Sequence, residues 1–206
     1  MGRRLPPIPV GELGDDARAA LREYLKEAAD RLLSAGPGSV RMPNVLATLM
    51  HHPKLAGPWL VYNSVLLNTP SIEPRLRELI VLRVAWRARS RYEWVQHVRI
   101  AKRLGVTAEQ IDTIAGLSAG DPWTPLEADL LDATDQLIDR YVVDDATWAR
   151  LAERLDERQL MEVVFVVGSY TCLAMAFKSF GIELDPELHD VEAPPMPDGE
   201  ELRART

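Results

Sequence analysis

In the stretch S90-R-Y-E-W-V-Q-H97 a glutamate and a histidine stand four residues apart inside the apolar side of a predicted helix. At about 100° per residue, Trp94, Val98, Ile100, Ala101 and Leu104 form one arc, and Arg91, Gln96, Arg99, Lys102 and Arg103 lie mostly outside it. His97 falls near the middle of that arc, with Glu93 one turn earlier and about 40° away. A carboxyl and an imidazole so placed can share a proton or a hydrogen bond, and burial moves both toward useful acid–base chemistry. The same residues have a second reading. Ser90-Arg-Tyr-Glu93 also fits a capping box, in which the glutamate serves only the helix start and His97 is a packed core residue. Both readings stand at this level.

The preceding helix sharpens the question. Leu76, Leu79, Ile80, Val81, Leu82, Val84, Ala85 and Trp86 cover nearly its whole circumference, which predicts burial on all sides. Two charges interrupt it, Glu78 and Arg83, roughly 140° apart around the axis. Each needs a partner from another helix or subunit, because breaking a buried pair costs on the order of 3–5 kcal/mol. A short connection near Ser90 folds the two helices side by side and brings Glu78 toward Glu93 and His97. Two carboxyls and an imidazole in an apolar setting make a proton-transfer site. The same three groups are also conceivable metal ligands. Arg83 could grip a substrate carboxylate through two nitrogens, or it could form a structural ion pair.

The elements that must position these groups are all helical. Apolar spacing, caps and breakers predict helices over 15–33, 44–50, 53–67, 74–89, 90–105, 107–116, 124–141, a short one capped by Asp144 or Asp145, and 156–180. Gly36-Pro37-Gly38 closes the first, and Thr107-Ala-Glu-Gln110 and Thr124-Pro-Leu-Glu127 read as capping boxes. No strand-like alternation longer than a few residues occurs. The reading is an all-α bundle of eight or nine helices. Residues 1–40 form an extended segment and helix, 41–184 the helical domain, and 185–206 an acidic, Pro-rich tail.

The 206 residues suffice for one domain with a sizeable core. A net charge of −7 argues against nucleic-acid and anionic-membrane partners. The single cysteine, Cys172, excludes an intrachain disulfide, and its apolar helix makes a buried, inert thiol the default. The N-terminus lacks the apolar stretch of a signal peptide, and no apolar run comes near the roughly 20 residues of a membrane span, so a cytoplasmic protein is expected. His51-His52 reads as an exposed helix-end pair. Trp59, Tyr62, Trp86 and Trp94 read as core residues or as the lining of an apolar pocket.

R77-E-L-I-V-L-R83, then S90-R-Y-E-W-V-Q-H97-V-R-I-A-K-R-L-G105-V, continuing through V106-T-A-E-Q-I111 and more loosely L160-M-E-V-V-F-V-V-G-S-Y170, resembles the carboxymuconolactone decarboxylase and alkylhydroperoxidase D-like superfamily over roughly residues 40–184. The peroxidase branch of that superfamily carries C-x-x-C-x-x-x-H. Counting back from His97 puts Ser90 and Glu93 at the cysteine positions and Glu78 at an upstream glutamate. Neither Ser90 nor Glu93 can form a thiolate, which disfavours a peroxidase-like redox role. The decarboxylase branch keeps Glu and His at the positions of Glu93 and His97. The resemblance therefore implies an alkylhydroperoxidase D-like helical bundle and a cofactor-free lyase or isomerase acting on a small lactone or keto acid. In that chemistry His97 would be the acid or base, and Glu93 and Glu78 would position it or share its proton. The resemblance also implies a homo-oligomer, trimer or hexamer, and gives no support for a metal. The alternative is a catalytically silent helical oligomeric binding module.

Overall fold

The computed structural model describes residues 3–34 and 39–196. Gly36-Pro37-Gly38 and the last ten residues of the expected tail lie outside them. Among the described residues there are ten α-helices and no strand: α1 Asp15–Leu25, α2 Glu27–Leu33, α3 Asn44–Leu49, α4 Pro53–Asn68, α5 Pro74–Ala88, α6 Arg91–Arg103, α7 Ala108–Ile114, α8 Pro125–Arg140, α9 Asp145–Ala152 and α10 Glu157–Phe180. Single 3-10 turns occupy Val10–Glu12 and Pro186–Leu188. The all-α class is as expected. The tenth helix arises because the first predicted segment breaks at Lys26, whose φ of 50° and ψ of −126° are not helical. The break shifts the register, so Ala29, not the expected Ala28, is fully buried in α2.

Two compact units form. Among the described residues, one takes those up to Thr69 together with Phe177–His189, and the other takes Pro70–Ala176 with those from Asp190 to residue 196. In the first unit α1 packs on α2 and α4. Its core gathers Leu13, Ala17, Leu21, Ala29, Met42 and Met50 among others. Close approach at α4 depends on Gly57, where a Cβ would stand 2.0 Å from the Tyr24 ring. The start of α3 is tied down by Asp185, which accepts from the Asn44 amide at 2.8 Å and pairs with Arg41 at 2.5 Å. His51 and His52 are exposed at a helix end. His52 Nδ1 accepts from the Leu55 amide, and His51 Nε2 lies 2.8 Å from the Pro6 carbonyl.

In the second unit α5 is the axis, packed against α6, α7 and α8, and α9 packs on α8. Leu79, Ile80, Val81, Leu82, Val84 and Ala85 have no exposed surface, as an all-round apolar helix requires. Its exit is tight. Arg89 takes a left-handed φ of 54°, the Ser90 amide donates to the Ala85 carbonyl at 2.9 Å, and α6 begins at once. Both predicted capping boxes form at α7 and α8. Near its start, α10 holds the loop before α5: the Glu162 carboxylate accepts from the Ser71 and Ile72 amides at 2.8 Å. This helix corrects the sequence reading on membrane-length segments. It is long and apolar enough to cross a membrane by length and composition, and half of its apolar stretch is buried within the protein.

Candidate active site

The second unit brings two of the three central residues into contact. Glu78 projects from the middle of α5 with no exposed surface, and its Oε2 lies 2.7 Å from His97 Nδ1 on α6. The other carboxylate oxygen is held within α5 itself. Arg77, also buried, donates to Glu78 Oε1 from Nη2 at 2.9 Å and from Nε at 3.2 Å. The sequence reading placed Arg77 in the motif and gave it no role, because a neighbour in sequence points about 100° away along a helix. Its long side chain curls back, so Glu78 finds its counter-charges inside the chain, without a second subunit. Burial pushes the Glu78 carboxyl upward, but the His97 charge and hydrogen bond and the Arg77 guanidinium outweigh it, holding Glu78 below the usual carboxylate range.

That arrangement fixes the imidazole. With Glu78 ionised as the acceptor, Nδ1 carries the hydrogen and Nε2 is the nitrogen left for chemistry. Tyr170 of α10 sets the ring from the side, edge-on at 5.0 Å between centroids and 89° between planes. Tyr170 is itself almost fully buried. Burial raises its hydroxyl pKa strongly, and Glu78 adds to the effect, so it is a neutral wall. No spacing in the sequence links Tyr170 to His97. Only the tertiary fold, folding α10 against α6, joins them.

Glu93 takes neither role that its position suggested. It does not cap α6: the Ser90 amide is spent on the Ala85 carbonyl, and the Ser90 side chain makes no cap hydrogen bond. Nor does it pair with a base. Glu93 is 1% exposed, and neither carboxyl oxygen has a hydrogen-bond partner within the protein. Burial pushes it well above the ordinary carboxylate value of 4.5, against a weaker opposing pull from Ser90. A buried carboxyl with that environment holds its proton, and His97 follows on the same face one turn later.

Arg83 faces α8 instead. Its Nε and Nη2 both donate to Asp135, at 2.8 and 2.6 Å, and Arg87 joins the same carboxylate at 2.5 Å. Of the two sources expected for its partner, another helix or another subunit, it is another helix of the same chain that supplies it. A cavity of about 270 Å³ lies beside Arg83, lined also by Thr113, Ile114, Trp123, Ala128 and Leu131. Trp94 is wholly buried, and its indole nitrogen donates to the Pro194 carbonyl at 2.9 Å. Lys102, eight residues on, reaches the Glu192 carbonyl at 2.8 Å, so the segment after Asp190 is strapped along α6. Trp86 leans on Trp94 with ring centroids 4.9 Å apart. Cys172, expected to be buried, is exposed on α10. Among the described residues no group of three His, Cys, Asp or Glu side chains is disposed to hold a metal ion.

The carboxymuconolactone decarboxylase family matches residues 53–136, a span that includes Glu78, Glu93 and His97. Solved structures are similar over nearly the whole chain. An uncharacterized peroxidase-related protein from Ralstonia eutropha with an alkylhydroperoxidase AhpD core has a TM-score of 0.70 at 19% identity, covering 90% of this chain and 94% of that one. An uncharacterized peroxidase-related protein from Silicibacter sp. gives 0.69 at 15% identity, covering 92% and 96%. The debrominase Bmp8 in complex with 2,3,4-tribromopyrrole gives 0.68 at 14% identity, covering 93% and 96%. At these identities the likeness is one of fold. No curated protein sequence matches the chain.

Proposed function

For a chain that belongs to the carboxymuconolactone decarboxylase and alkylhydroperoxidase D-like superfamily, we propose a cofactor-free proton transfer on a small lactone or keto acid, as a lyase or isomerase. One observation carries this reading: the buried Glu78 carboxylate 2.7 Å from His97 Nδ1. It orients the imidazole and stabilises the imidazolium that forms when Nε2 takes a proton.

The steps follow from the groups present. Nε2 removes a proton from the carbon beside a carbonyl, and the electron pair of the broken C–H bond becomes an enolate. Return of the proton to a different carbon completes an isomerisation. In the decarboxylating version the ring starts as the imidazolium: the C–C bond to a carboxylate breaks, CO₂ departs, Nε2 gives its proton to the enolate carbon left behind, and the ring takes its next proton from solvent. Glu93, held protonated by burial, is an O–H donor suited to an enolate oxygen, where charge develops in the transition state. Arg83 is given no step here, because its Nε and Nη2 donate to Asp135 on α8 while Glu78 turns to His97 on α6. Dithiol peroxide reduction is disfavoured: Ser90 and Glu93 stand at the thiol positions of the peroxidase branch, and Cys172 is the only cysteine.

The test is an NMR observation of the His97 ring nitrogens with and without small lactones and β-keto acids. The Nδ1–H form is expected in the free protein, with Nε2 responding to one class of acid. A ring that stays in one state with every compound would favour the silent binding module.

A further inference from the structure

The cavity beside Arg83 belongs to a different side of α5 from His97. Glu78 and Arg83 leave that helix roughly 140° apart, and the cavity is lined from α5, α7, α8 and the segment before α8, with no residue of α6. Its walls are of two kinds. Ile114 and Leu131 are buried and offer carbon alone, Ala128 is exposed at the mouth, and Trp123 adds a half-buried aromatic ring. Arg83 is the charged residue of the lining, and its side chain is 26% exposed. Asp135 holds its Nε–Nη2 edge, which fixes the guanidinium plane, and Nη1 makes no hydrogen bond among the described residues. The indole N–H of Trp123 is likewise without a partner among them. Thr113 spends its hydroxyl hydrogen on the Glu109 carbonyl at 2.8 Å, so it brings no further donor.

These walls specify a ligand. Nη1, with the second hydrogen of Nη2 beside it, is the edge of an arginine that a carboxylate takes through two oxygens. No carboxylate of the protein lines the cavity, and Asp135, the counter-charge of Arg83, is shared with Arg87. A partly buried guanidinium also attracts an anion more strongly than one in open water. The size is that of a ring. An apolar cavity of about 150 Å³ accepts benzene, and about 270 Å³ holds a six-membered ring with a few further atoms. We infer that this cavity binds a small aromatic carboxylate, its ring against Trp123, Ile114 and Leu131 and its carboxylate on the free edge of Arg83. The site uses no group of the His97 centre and does not rest on proton transfer there.

The probe is benzoate, with benzamide as its uncharged match, titrated into the nitrogen-15-labelled full chain and followed by NMR. Benzoate at concentrations up to about 10 mM should shift the Trp123 indole resonance saturably, and benzamide should bind roughly 10-fold more weakly or less. Arg83→Met should bring benzoate down to the benzamide level. Ala128→Trp, at an exposed helix position that leaves the fold intact, should fill the mouth and abolish the shift. His97→Gln should bind benzoate as wild type does. No saturable shift, equal affinity for benzoate and benzamide, or unaltered binding in Ala128→Trp would overturn the inference. So would loss of benzoate binding in His97→Gln, which would move the ligand to the His97 centre.

Discussion

At the scale of residues, the two glutamates beside His97 have opposite electrostatic fates. Glu78 is paired and held below the ordinary value, so its stabilising contribution is present at neutral pH and is lost as pH falls below about 4.5 through its folded pKa. Glu93 is raised, so the sign reverses. Its favourable contribution is complete below about 4.5 and is lost as pH rises toward its folded pKa, because the unfolded chain ionises first. Urea unfolding of Glu93→Gln against wild type should therefore show the variant gaining relative stability as pH rises from 4.5 to neutrality; parallel profiles would contradict the buried, protonated carboxyl. Glu78→Ala leaves Arg77 and His97 facing an empty site, and the expected loss is about 3–5 kcal/mol. Unfolding midpoints at pH 7 check it. Glu93, His97 and Glu78 were legible in the sequence because each breaks an apolar pattern. Arg77 and Tyr170 were not: one curls back along its own helix, and the other arrives from more than seventy residues away and breaks no pattern.

At the scale of elements, the turn between α5 and α6 sets the geometry of the site. It places an arginine where glycine is the usual residue, at a φ of 54°, and leaves the Arg89 Nη1 buried without a partner. Arg89→Gly is expected to stabilise the protein by about 1 kcal/mol, relief of the left-handed backbone exceeding the added freedom of the unfolded chain. Thermal unfolding measures this, and a lower midpoint would show that the arginine contributes more than the strain costs. The helices were readable where caps and breakers punctuate them, as at Thr107, Thr124 and Pro74. The break at Lys26 was not, since the apolar spacing from Ala17 to Leu32 runs on without a glycine or proline to mark it. Gly57 shows the same limit: a glycine within α4 is a reading of weak helix until the Tyr24 ring is seen against it. Gly57→Ala should weaken the packing of α1 on α4 despite the better helix former, with an unfolding midpoint below that of wild type.

At the scale of the whole molecule, the fold buries the middle of α5 and hangs its polar business on either side of it. Glu78 turns to α6 and the imidazole, while Arg83 turns to α8 and the carboxylate of Asp135. The sequence marked both charges as anomalies on an apolar helix and could not say which of them served a site, because their partners lie 19 and 52 residues away. The most direct measurement is hydrogen–deuterium exchange at the carbon beside the carbonyl in a panel of small lactones and keto acids, followed by NMR in D₂O with loss of CO₂ recorded alongside. Wild type should accelerate exchange or decarboxylation of one chemical class. His97→Gln should lower that rate by roughly 100-fold or more, and Glu78→Gln should lower it through loss of the oriented imidazole. Failure of the wild-type protein to exchange or cleave any member of the panel, or full activity in His97→Gln, would contradict proton transfer at this site.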